Sequence, residues 1–156
     1  MALNYAEAFY ISRGSPEKKT DMKHTVIEKV VTINAPVEEV WCVFTDPVKT
    51  KQMGGYYDTD WTPGSSFGFR NTAGNRLTNG ILLELEPLLL IRHNLLDPDD
   101  GTVQAVITYL FRDKEGRTVL TGREVVMRPL EQADFEDAAA GWEFALNAVK
   151  ELAEKR

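Results

Sequence analysis

The fold is decided by residues 134–156, which read DFEDAAAGWEFALNAVKELAEKR. Their apolar positions recur at steps of three and four residues: Phe135, Ala138, Ala139, Trp142, Ala145, Leu146, Val149, Leu152 and Ala153. Such steps place the side chains on one stripe of a helix about six turns long, at about 3.6 residues per turn. A helix of this kind buries its stripe against another element. If that element is a sheet that curls round the helix, the space between the two is a pocket.

The residues before this helix predict strands. A run rich in Val, Ile and Thr at 24–34 predicts a first strand, with Ile27, Val31 and Ile33 on its core face. Two short helices follow; one has proline at its first position, and the other starts at Asp46-Pro47 and ends at Gly54-Gly55. Turn residues then separate six extended segments, at 56–61, 66–71, 77–86, 88–96, 102–112 and 117–127. Consecutive strands with short loops indicate an antiparallel meander.

Composition limits the classes of partner and the compartment. The net charge of −6 argues against a nucleic acid partner, which requires a basic face. The negative charge also disfavours binding to an anionic membrane surface. Because the sequence contains no run of 18 apolar residues, we expect no membrane insertion. The single cysteine, Cys42, cannot form an internal disulfide and suits a reducing compartment. With no secretory signal at the N-terminus, we expect a cytoplasmic location.

The chain divides into an arm and a domain. Residues 1–22 are expected to form an N-terminal arm and linker, and residues 23–156 one helix-bearing domain. The arm is too short to be stable alone, so it is either mobile or docked on the body or on a second copy. Docking is favoured because Phe9, Tyr10 and Ile11 are a costly apolar cluster to leave in water.

Four stretches of the sequence resemble a known family. Residues 33–41, INAPVEEVW, followed by Thr45-Asp46-Pro47, resemble the opening of the START-like (SRPBCC) superfamily. Residues 80–87, GILLELEP, and the late Gly141-Trp142 are similar to homologues of the activator of the heat-shock-protein-90 ATPase, the Aha-like branch. The resemblance spans about 24–153 and implies an α+β helix-grip fold. In that fold a curved antiparallel sheet of about six to seven strands wraps round a long C-terminal helix, with two short helices after the first strand. Relatives hold lipids, sterols, polyketides or plant hormones there.

His93 is the leading polar candidate for a ligand site. In the strand at 88–96, Leu89, Ile91, His93 and Leu95 share one parity, which aims them at the concave side of the sheet. A histidine there orients a ligand or acts as an acid or base, because it titrates near neutral pH. The alternative is a core histidine that hydrogen-bonds a backbone carbonyl.

Arg123 and Glu124 are adjacent in a strand, so they point to opposite faces. One of them is expected on the concave side, where it either binds a polar group of the ligand or forms an ion pair across the sheet. For Glu124, the candidate ion-pair partners are Arg92 and Arg112.

Several aromatic and aliphatic residues are candidate cavity walls. Trp142 and Leu146 lie on the helix stripe, Tyr109 and Phe69 on strands, and Trp61 near the expected mouth of the cavity. The alternative is that these side chains simply fill a core, since aromatic residues dominate cores.

Three functions are compatible with these residues. The leading hypothesis is binding of a small, largely apolar molecule between helix and sheet. The first alternative is a cyclase or dehydratase with His93 paired to Arg123 or Glu124. The second is a co-chaperone-like interaction module active in the stress response, although the chain lacks the separate N-terminal domain of the eukaryotic co-chaperone. A homodimer fits all three. No motif indicates a cofactor or a metal, and enzyme activity is not expected.

Overall fold

The strands form two antiparallel sheets. A computed structural model describes residues 24–155, so the expectations for the arm fall outside the described residues. The strands are β1 (Thr25–Ile33), β2 (Gly55–Asp58), β3 (Gly68–Asn71), β4 (Leu82–Glu86), β5 (Leu90–Leu96), β6 (Val103–Lys114) and β7 (Arg117–Val126). Five of them form one sheet in the order β1-β7-β6-β5-β4, while β2 and β3 pair with each other. An isolated bridge between Ser66 and Ile81 joins the two sheets.

Strand β1 confirms the expected alternation of faces. Ile27 and Ile33 are buried in the core and Val31 is half-buried against it. Val30, of the opposite parity, is 59% exposed. The period of two in the sequence therefore identifies the core side of this edge strand correctly.

Both short helices form where the sequence predicts them. Helix α1 covers Val37–Thr45, and Pro36 is its N-cap rather than its first residue. Helix α2 covers Pro47–Thr50, and the Oδ1 atom of Asp46 accepts a hydrogen bond from the Val48 amide, 3.0 Å away. A 3-10 turn at Lys51–Met53 follows and ends at Gly54, whose φ of 103° favours glycine.

The long helix α3 covers Gln132–Glu154, two residues earlier than the sequence predicts. Trp142, Leu146 and Val149 form its buried stripe. Ala145, which the spacing places on this stripe, is exposed. The buried contact is thus narrower than the apolar pattern suggests.

Polar contacts hold the last turns of α3 along the edge strand. The Lys150 ammonium donates a hydrogen bond to the Thr32 carbonyl at 3.0 Å, and the Glu154 carboxylate accepts one from the Asn34 amide at 2.7 Å. The stripe of α3 and the buried side of α1 share one core with the concave face of the sheet. This arrangement confirms the α+β helix-grip fold. None of the helices within residues 24–155 combines the length and hydropathy needed to cross a membrane.

Candidate functional site

One row of side chains crosses the concave face beneath α3. The register aligns Ile27, Glu124, Ile107, His93 and Leu82, one from each strand of the large sheet. His93 therefore faces the core, as its parity predicts. Strand β6 lies between His93 and Glu124, which puts their backbones about 10 Å apart at about 4.8 Å per strand.

His93 is a buried, neutral histidine. Its ring stacks on Phe67 with centroids 4.3 Å apart, and its side chain is 4% exposed. Burial lowers the pKa of His93 to about 4, and the hydrogen bond to the Asn94 carbonyl opposes this by a smaller amount. Because a carbonyl oxygen only accepts, Nδ1, 3.0 Å from it, donates the hydrogen bond. Nε2 is then left as a hydrogen-bond acceptor.

Glu124 faces the helix and bonds to Trp142. The indole Nε1–H donates to Oε1 of Glu124 over 2.7 Å. The indole also lies on Gly122, since a Cβ added there would stand 2.2 Å from Cζ3 of Trp142. The expected ion pair of Glu124 with Arg92 or Arg112 is therefore wrong. An indole on the helix, which cross-strand reasoning did not consider, takes that place.

Two tyrosine hydroxyls add to the polar groups of this face. Burial raises the pKa of Tyr57, and a hydrogen bond with Tyr109 opposes the shift. Burial also raises the pKa of Tyr109 well above its usual range, with further contributions from Tyr57 and from the charge of Glu124. The Tyr109 ring lies between Trp142, at 5.6 Å, and His93, at 6.3 Å between centroids. Through these ring contacts, Tyr109 connects His93 on β5 with Trp142 on α3.

The rings around these groups form one cluster. Centroid separations run from 4.3 to 6.3 Å, and the members besides His93, Tyr57, Tyr109 and Trp142 are Trp41, Phe44, Phe67, Phe69, Phe111 and Trp61. The protein's own rings therefore pack against one another in the region where a cavity was predicted. Three hollows lined by described residues, of about 170, 340 and 450 Å³, open elsewhere, and none is lined by His93, Tyr109 or Trp142.

Most of the candidate site residues meet in this cluster. Ile91 and Leu146 are buried in the same core as His93, Trp142 and Tyr109. Phe69 and Trp61 both contact the ring of Tyr57, from the small sheet and from the loop that follows β2. Their role in binding stays a prediction.

Two candidates lie elsewhere. Leu89 is 55% exposed, because it belongs to the turn before β5, where Leu88 has a φ of 67° and the strand alternation does not apply. Arg123 lies on the convex face, where its Nη1 donates to Glu28 over 2.8 Å. Since His93 faces the opposite side, the pairing of His93 with Arg123 as acid and base is wrong.

Sequence reasoning missed Phe44 and Phe67 as members of the cluster. Phe67 stacks on His93, and Phe44 packs at 4.8 Å from Tyr109. Phe67 shares the parity of Phe69, and this signal was available in the sequence. Among residues 24–155, no three His, Cys, Asp or Glu side chains come together in a way that could hold a metal ion.

One family model matches most of the chain. The family described as "Activator of Hsp90 ATPase homolog 1-like protein" matches residues 34–154. No protein of curated function matches the sequence.

Solved structures of the same fold come from several sources. CalU16 from Micromonospora echinospora is 18% identical, with a TM-score of 0.65 over 83% of this chain and 84% of that one. The Aha1 dimer from Colwellia psychrerythraea is 19% identical, with a TM-score of 0.63 over 83% and 96%. DynU16, from the dynemicin biosynthetic locus, is 20% identical, with a TM-score of 0.71 over 83% of this chain and only 47% of its own. At such identities the likeness shows the fold alone.

Proposed function

Since the chain belongs to the family of Activator of Hsp90 ATPase homolog 1-like proteins, we propose that it binds a small, largely apolar molecule between α3 and the concave face of the sheet. The observation that carries the proposal is the set of polar groups inside the aromatic cluster, namely the buried His93 and the half-buried Glu124, Tyr57 and Tyr109. The similar fold of DynU16, a protein of a biosynthetic locus, agrees with a small-molecule ligand.

Placing these polar groups in a core that only has to pack would cost free energy of folding. A buried polar atom that loses its partner costs about 1–3 kcal/mol, and apolar side chains of the same size would avoid that risk. In ligand sites, a few polar groups within an apolar lining fix the orientation of the bound molecule. Nε2 of His93 and the carboxylate of Glu124 both accept, so they suit a ligand with a hydroxyl or amine donor.

Entry of a ligand requires that rings move. Trp61 is half-buried at the outer end of the cluster, on the loop after β2, and contacts Tyr57 and Phe67. Its φ of 59° is unusual for a residue other than glycine, which makes this loop conformation costly to hold. We therefore expect the Trp61 ring to swing away when a ligand binds.

A binding titration tests the proposal. The probe is 2-naphthol, an apolar ring system with one hydroxyl donor, followed by its fluorescence. The wild-type chain is expected to bind it, and His93→Phe, which keeps a ring but removes the acceptor, is expected to weaken binding about tenfold, the worth of roughly one hydrogen bond.

The matched control is His24→Phe, the same change at the start of β1, which should leave the affinity unchanged. Absence of binding by the wild-type chain, or equal affinity in His93→Phe, would contradict the proposal. Native mass spectrometry of the chain purified from its own host gives an independent readout, the mass of a retained molecule.

A second candidate function is protein contact. Phe144 on α3 is 77% exposed, beside a hollow of about 340 Å³ that Met53, Ala148 and Leu152 help to line. An exposed aromatic ring next to a hollow is typical of an interaction surface. The dimer of the Colwellia protein favours a second copy as the partner, and the family name favours a chaperone of the Hsp90 class.

A further inference from the structure

The convex face of the large sheet, the side turned away from α3, carries side chains that are barely exposed. Eight of them are only 2–8% exposed: Leu90, Arg92, Asn94, Val106, Thr108, Val119, Arg123 and Val125. The buried residues of α1 and α3 pack on the opposite face. The central residues of a one-layer sheet open to water on this side would be far more exposed, so the face requires a cover.

A polar row crosses the middle of this face. The register aligns Glu28, Arg123, Thr108, Arg92 and Glu84, one from each strand. Arg123 donates to Glu28 at one end, and Arg92 donates to Glu84 at the other and to the Thr108 hydroxyl at 3.1 Å. Both guanidinium groups lie inside the row and both carboxylates at its half-exposed ends. The centre of the face therefore carries two buried guanidinium groups, with Val106 and Val125 on one side of the row and Leu90 on the other.

We propose that the 23 residues before His24 dock on this face of their own chain. Residues 2–12, ALNYAEAFYIS, are apolar apart from a few polar side chains and carry one charged residue, Glu7. Their aromatic and aliphatic side chains match the valines of β6 and β7. The carboxylate of Glu7 is of the right sign to serve as a further acceptor between Arg92 and Arg123, since a guanidinium donates through five N–H groups.

The length of the segment permits this placement. His24 lies at the start of the edge strand β1, and the centre of the face is two strands away at β6, about 10 Å at about 4.8 Å per strand. Residues 13–23 span more than that distance when extended, at about 3.3 Å per residue. A segment tethered so closely is present at an effective concentration of about millimolar, which favours its own chain over a second copy.

Thiol labelling of the full-length chain tests the docking. In a Cys42→Ala background, Val106→Cys places a thiol under the proposed cover, and Val30→Cys places one on the same face of β1, where the side chain is 59% exposed. The Val106→Cys thiol is expected to react slowly. Adding Tyr10→Asp should accelerate its reaction at least about tenfold by releasing the cover, and Glu7→Gln should accelerate it less. The matched control, Thr20→Asp, adds the same charge within the linker and should change nothing.

Three outcomes would overturn the proposal. The first is a Val106→Cys thiol that reacts as fast as the Val30→Cys thiol in the otherwise unchanged chain. The second is a rate unaffected by Tyr10→Asp while the circular dichroism spectrum shows an intact fold. The third is protection that disappears on dilution from about 50 to about 0.5 μM, because protection by a second copy depends on concentration whereas protection within one chain does not.

Discussion

At the scale of single residues, His93 makes the stability of the protein depend on pH. Burial lowers its pKa from 6.5 to about 4, so between these values the unfolded chain takes up a proton that the folded chain does not. Acid therefore favours the unfolded state in this window. The stabilisation by neutral His93 is complete above pH 6.5 and declines as the pH falls towards 4.

We expect the free energy of unfolding to be lower by about 2 kcal/mol at pH 5 than at pH 7.5 through His93 alone. Urea unfolding at the two pH values measures the difference. In His93→Phe the difference should shrink by that amount, because Phe has no proton to bind and keeps a ring against Phe67. An equal pH dependence in the variant would show that His93 is protonated in the fold or is accessible to water.

The alternation of side chains along β5 predicted which face of the sheet His93 points to, because this alternation is a local property of the backbone. The partner of each polar side chain was not predictable in the same way. Glu124 meets Trp142, which belongs to another element, and the exposure of Leu89 follows from a left-handed turn residue, Leu88, that interrupts the strand alternation.

At the scale of elements, two glycines have opposite roles. Gly122 of β7 gives the Trp142 indole room to lie flat on the sheet, since an added Cβ would stand 2.2 Å from Cζ3 and 2.6 Å from Cε3 of that indole. Gly141 of α3 is exposed, and no atom lies within 4 Å of the position its Cβ would take. One glycine thus allows a close packing contact, while the other only weakens its helix.

The two alanine substitutions should therefore change stability in opposite directions. Gly141→Ala is expected to raise the free energy of unfolding by about 0.5–1 kcal/mol, because Ala has the higher helix propensity. Gly122→Ala is expected to lower it by about 1–3 kcal/mol, because the indole must shift in a packed core. Denaturant unfolding of both variants beside the wild type measures this. A neutral Gly122→Ala would mean that Trp142 does not rest on β7.

At the scale of the whole molecule, the exposed Phe144 is the feature that favours association. An aromatic ring buried at an interface contributes about 150–250 Å² of contact and often dominates the binding energy. It stands on the outer side of α3, so contact there leaves the concave site beneath the helix undisturbed.

We expect the chain to form dimers at about 100 μM, and Phe144→Ser to weaken the dimer by at least about tenfold, as a loss of more than about 1.4 kcal/mol implies. Size-exclusion chromatography with light scattering measures the mass of each. Leu77→Ser is the matched control, because Leu77 is also largely exposed but lies before β4, away from α3. A monomer in both the wild type and Phe144→Ser would reject this surface as a dimer contact.

The sequence by itself determined the order of the elements and the buried side of most of them. The period of two in β1, the three- and four-residue steps in α3 and the turn residues between strands are local signals, because each depends on neighbours within one or two turns of chain. They were sufficient for the direction of His93 and Trp142, whereas the helix-grip arrangement was implied by the family resemblance and the facing of Tyr109 was left open.

Only the tertiary structure decided which side chains meet and how full the space between helix and sheet is. Trp142 bonds to Glu124 across 18 positions of sequence, and Arg123 to Glu28 across 95. Contacts at such separations depend on strand register and on the volumes of all the side chains that share the space, and no local pattern encodes either. Aromatic side chains of the same sequence positions can either line a cavity or fill a core, and in this chain the rings pack against one another.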